Sequence, residues 1–128
     1  MSNVKEHTII KNKNSTGELL ADDIVHIFYK GDTYLEIEDF KEGIQTYITF
    51  AQGQKLKILV EIGKFAGASA EARKFAQDNN PEALAEAIII HSLAQRVLAK
   101  FYIIFHHSDH PVRVFVDKEK GIEWLNSI

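Results

Sequence analysis

The stretch "AEAIIIHS", Ala85 to Ser92, decides the fold. From Ala87 to Ile90 it is unbroken apolar sequence, with no polar residue to mark a solvent face. A short run of this kind belongs in a strand buried on both faces of a parallel sheet. Ser92 follows at once and is a good N-cap, opening a helix in which Leu93, Val97, Phe101 and Ile104 trace one face. The same hand-over occurs upstream. Leu56 to Ile62, "LKILVEI", reads as a strand, and Ser69 opens a second helix that runs through Phe75 and ends near Asn79-Asn80-Pro81.

Working outward, Phe40, Ile44, Tyr47, Ile48 and Ala51 recur at helical spacing, with Gly53 placed as the cap. Before them, Glu18–Ala21 and Ile24–Lys30 flank Asp22-Asp23, which reads as a tight hairpin turn. Thr8–Lys11 is a short extended piece and Asn12–Gly17 a loop. At the other end Val112–Asp117 is a strand, and Asp117 caps a helix over 118–126 with Ile122 and Leu125 facing the sheet. The order is β-β-α-β-α-β-α-β-α. Crossovers of this length predict an α/β fold, a mixed and mostly parallel sheet with packed helices. Residues 1–17 read as an N-terminal extended segment and 18–128 as one domain.

Composition narrows the function. The chain has 128 residues, enough for one core. Its net charge of −3 lacks the basic footprint of a nucleic-acid binder or a polybasic membrane anchor. There is no cysteine, which excludes disulfides, thiol nucleophiles and cysteine-based zinc sites. No apolar run approaches the roughly 20 residues that span a bilayer, and the start of the chain has no signal-peptide core. These features predict a cytoplasmic protein.

Candidate sites are few. In open α/β sheets ligands bind outside the carboxyl ends of the parallel strands, which singles out Glu61, Gly63, His91, Ser92 and Asp117. Acid–base chemistry by Glu61 and His91 would require their side chains to lie within hydrogen-bond reach. Ser92 lacks the Gly-x-Ser-x-Gly elbow of a hydrolase. "GKFAG" lacks the phosphate-loop spacing, because Ile58 stands where the first glycine belongs. His107 and His110, with Asp109 between them, have metal-ligating chemistry, but a site needs three or four convergent ligands. His106–His110 reads instead as a polar joint, with Pro111 enforcing extension before the last strand. The apolar string Phe101–Phe105 colours the whole circumference of a helix. Phe101, Tyr102, Ile103 and Phe105 then have three fates: cover by the N-terminal residues, a homodimer face, or the wall of a pocket for an apolar ligand.

Three strings, "DTYLEIEDFKEGI" (32–44), "EARKFAQDNNPEALAEAIIIHS" (71–92) and "HPVRVFVDKEKGIEWLNSI" (110–128), resemble the STAS-like, SpoIIAA-like families, small α/β domains related to bacterial anti-sigma-factor antagonists. The resemblance runs from Glu18 onward. It implies that fold, no cofactor, and a non-enzymatic regulatory module that binds a protein partner or a second copy of itself. The sporulation-type members carry a phosphorylatable serine, and Ser69 in "GKFAGASAEAR" is its counterpart, flanked here by Ala68 and Ala70. A phosphate there would meet the free N–H groups of a helix start. The alternative role is carrier or sensor of a small apolar molecule beside the third helix.

Overall fold

The computed structural model describes residues 8–21, 23–97, 99 and 110–128. Strands β1 (Ile10–Lys11), β2 (Ser15–Ala21) and β3 (Ile24–Tyr29) form an antiparallel meander. Against β3 the sheet continues in parallel with β5 (Lys57–Ile62), β7 (Ala85–Ile89) and β8 (Val112–Phe115), in the order β1-β2-β3-β5-β7-β8. Each crossover carries a helix: α1 (Ile37–Ala51), α2 (Ala70–Asp78) and α3 (residues 93–97 and 99); α4 (Lys118–Asn126) follows β8. Two short strands, β4 (Tyr34–Leu35) and β6 (Gly67–Ala68), pair in parallel beside the main sheet.

Because β3, β5, β7 and β8 are laid down in one direction, crossovers of the usual right hand put their helices on one face. The packing agrees. Tyr47 and Phe50 of α1 join Val25, Ile27 and Ile58 in one core, and Ala99 of α3 joins Ile88 and Ile90 on the same side. Residues one step along each strand point the other way, as the two-residue period demands. There Ile24, Leu59, Ala87 and Ile89 bury against Leu125 of α4, with Trp124 and Phe115 at the edge.

Sequence patterning fails at two helices. Ile48 is 47% exposed, because it lies about 100° round the helix from Tyr47; Gly43, Thr46 and Phe50 complete the buried stripe. On α3, Leu93 and Val97 are 77% and 47% exposed, while Gln95 and Ala99 face inward. The cap of α1 is Gln52, in the left-handed conformation at φ 50°, followed by Gly53 at φ 82°. β2 also starts three residues earlier than expected, at Ser15, because Asn12 donates to Ser15 Oγ (3.0 Å) and Thr46 Oγ1 (2.9 Å), holding the loop against α1. Asp22, Phe101–Phe105, His106, His107, Ser108 and Asp109 lie outside the described residues.

The ends of β3 and β5 meet at Gly63. Its N–H donates to Tyr29 O (2.8 Å), and a Cβ there would stand 2.3 Å from Gly31 N and 2.6 Å from Tyr29 O. Both obstacles are backbone, which cannot swing aside. Gly63→Ala is therefore expected to cost about 3 kcal/mol of stability, near the upper end of overpacking penalties, measured as a drop in denaturant midpoint without a change in slope.

Candidate functional site

Between the sheet and the helix-rich face lies a cavity of about 200 Å³. Its floor is Ile27, Ile58, Val60 and Ile88, all on the face that β3, β5 and β7 turn toward the helices. Phe40, Ile44 and Tyr47 of α1 form one wall, Ala76 and Gln77 of α2 another, and Ala99 of α3 lines a third side. For scale, an engineered apolar cavity of about 150 Å³ takes up benzene. The lining is mostly apolar, with a few polar groups at defined places, the usual composition of a small-molecule site.

Those polar groups fall into two sets. Most are satisfied within the chain. Tyr47 accepts at its hydroxyl from Leu56 N–H (2.9 Å) and donates to Glu82 O (2.8 Å). Arg73 donates to Ala68 O (2.9 Å). Gln95 uses its whole amide: Nε2 donates to Gly63 O (2.9 Å) and Ala66 O (3.1 Å), and Oε1 accepts from His91 N–H (2.8 Å). That explains its burial on α3 where a leucine was expected to point inward. Glu86 differs. It is 4% exposed, and its Oε1 has no hydrogen-bond partner among the described residues. Burial and the nearby Glu86 charge raise the Tyr29 phenol above its ordinary range.

The strand-end residues divide as well. Glu61 and His91 do meet, with His91 Nε2 3.3 Å from Glu61 Oε2. His26, which the sequence reading passed over, approaches the other oxygen, Oε1, at 3.0 Å, and Lys118 Nζ lies 3.7 Å from it. A carboxylate only accepts, so both imidazoles donate through Nε2. Ser92 and Asp117 act as caps, accepting from Gln95 N–H (3.1 Å) and Glu119 N–H (2.9 Å). Ser69 does likewise for Ala72 N–H (3.0 Å) and is 8% exposed. His110 stands apart from this group, 3.5 Å by Nε2 from Glu86 Oε1. Among the described residues no cluster of three or more His, Asp or Glu has metal-site geometry.

His26 was detectable in principle, as the one polar residue of the strand "IVHIFY". Burial first, then the Lys118 charge, lower its pKa below the ordinary 6.5, against the opposing pull of Glu61 and Glu18. The folded state therefore prefers neutral His26. Its contribution to stability is complete above about pH 6.5 and is lost as the pH falls below that value toward the folded pKa. The melting temperature is expected to drop between pH 7 and pH 5, and His26→Gln to flatten that drop in a pH series of thermal melts.

Comparison with known proteins bears on the same chain. Among solved structures it is similar to an uncharacterised protein of the DUF3478 family with a SpoIIAA-like fold from Shewanella loihica PV-4, at 18% identity over 92% of this chain and 90% of that one, TM-score 0.59. At that identity the likeness shows the fold, and the fold is the STAS-like, SpoIIAA-like one that the strings at 32–44, 71–92 and 110–128 resemble. No curated protein matches. No helix among the described residues is long and apolar enough to cross a membrane. A family model described as a domain of unknown function, DUF7793, matches residues 19–128, and the chain belongs to that family.

Proposed function

We propose that this protein is a STAS-like binding module that carries or senses a small apolar molecule held between the sheet and helices α1, α2 and α3. The observation that carries this reading is the cavity of about 200 Å³ with apolar floor and walls. The contact that acid–base chemistry by Glu61 and His91 requires is present, at 3.3 Å, so the non-enzymatic reading rests on the apolar cavity and not on the strand ends. Ser92 and Asp117 are engaged as caps. Ser69, buried with its hydroxyl bonded to Ala72, favours ligand binding over a phosphorylation switch as the mode of control.

The test fills the cavity. Ethylbenzene at about ten times its dissociation constant is expected to raise the melting temperature by about 5 °C. Ala76→Phe should abolish the shift while the variant stays folded. No shift with ethylbenzene, and no adduct in native mass spectrometry of the purified protein, would remove the reading.

A second reading, a protein-interaction or homodimer surface, has its own support. Tyr34, Phe65, Leu93 and Val116 are 66%, 67%, 77% and 60% exposed. They follow the carboxyl ends of β3, β5, β7 and β8, four adjacent parallel strands, and so share one rim of the molecule. Phe65 is also held at φ 65°, an uncommon conformation for a bulky residue. Large apolar side chains gathered at one edge mark interaction sites. Phe65→Asn with Leu93→Ser should leave the fold at least as stable and abolish a dimer seen by sedimentation. A monomeric wild type would end the homodimer version.

A further inference from the structure

We propose that the cavity selects molecules whose apolar body ends in a hydrogen-bond donor, a hydroxyl or a protonated amine, and that Glu86 Oε1 receives that donor. The inference rests on the ligand-binding reading and specifies the ligand class. Glu86 is the second residue of β7, with Ile58 and Val112 beside it in register, so its neighbours in the sheet offer no side-chain donor. Its side chain is buried and lines the cavity, and Oε1 has no hydrogen-bond partner among the described residues.

His110 does not meet the need. Its Nε2 lies 3.5 Å from Glu86 Oε1 and 3.4 Å from Asn80 Nδ2, both longer than a good hydrogen bond, and Asn80 Nδ2 can only donate. In the tautomer whose Nε2 accepts from Asn80, that nitrogen has no proton for Glu86. Native interiors rarely leave a buried carboxylate oxygen without a donor, because water has been removed and nothing replaces it. A ligand hydroxyl or ammonium supplies that donor, and the bond is strengthened by the charge of the acceptor. The same charge disfavours a ligand carboxylate in this position. The cavity size suits a single ring with a two-carbon arm.

Four probes that share a phenylethyl body test this on the full chain by calorimetric titration: 2-phenylethanol, 2-phenylethylamine, ethylbenzene and 3-phenylpropanoate. The alcohol or the amine is expected to bind at least about tenfold more tightly than ethylbenzene, as a hydrogen bond to a charged group provides, and the acid more weakly than either. Which of the two leads separates a neutral from a charged donor. Glu86→Leu should bring alcohol, amine and hydrocarbon within about twofold of one another, with ethylbenzene still bound. Glu86→Gln keeps the shape and should remove any advantage of the amine over the alcohol, which covers the case in which the leucine variant does not fold. Equal binding of donors and hydrocarbon by the wild type, or tightest binding of the acid, overturns the role of Glu86 and leaves the cavity reading in place. Failure of all four probes to bind overturns both.

Discussion

The hand of the parallel crossover governs this structure. Each of three successive connections leaves one parallel strand and enters its immediate neighbour, always in the same direction across the sheet. With one hand for all of them, α1, α2 and α3 share a face, and among the described residues α4 is the helix that covers the other. Open α/β sheets form ligand crevices where the strand order reverses and helices diverge to opposite faces. The parallel strands here contain no such reversal, so the strand ends gain loops and caps without a cleft between diverging helices. Space for a ligand arises inside the helix-rich layer, where helices of unequal length, 15 residues in α1 and nine in α2, meet over one apolar floor.

Two glutamates on adjacent strands show how the two faces differ. Glu61 of β5 points to the α4 side, where His26 from β3, His91 after β7 and Lys118 from α4 surround it. Every element that borders Glu61 contributes a group that answers its charge. Glu86 of β7 points to the opposite side, between isoleucine and valine; His110 Nε2 lies 3.5 Å from its Oε1, which has no hydrogen-bond partner among the described residues. Low dielectric makes the first arrangement a firm anchor between sheet and α4, and makes the second costly unless something donates to it. The chain thus stores polar demand on the face that has room beside it.

What the sequence disclosed follows the range of each interaction. Ser69, Ser92 and Asp117 were legible as caps because a cap depends on a few neighbouring residues. The strand run at Ala85–Ile89 was legible because burial on two faces leaves a continuous apolar string. The inward face of α3 was not, since the residue that buries is Gln95, held by carbonyls of Gly63 and Ala66 about thirty positions upstream. For the same reason Glu61 could be nominated but its company could not: His26 in β3 and His91 just after β7 reach it from 35 and 30 residues away. Glu86 left a trace that only the sheet's alternation decodes, a charged residue between two alanines that both face α4.

The one-directional order of the strands also bears on how the domain is made. Each parallel strand can add to the edge finished just before it, so the helix-rich face grows in step with the emerging chain and long-range closure is spread over several short steps. The α4 face has no such gradual route. Leu59 and Ile89, both fully buried in the finished fold, pack against Leu125 of α4, so docking of α4 is what covers them on that side. During synthesis the nascent sheet is therefore a one-sided layer, and the interval before α4 docks is when its exposed side is open to chaperones or to mispairing with another chain.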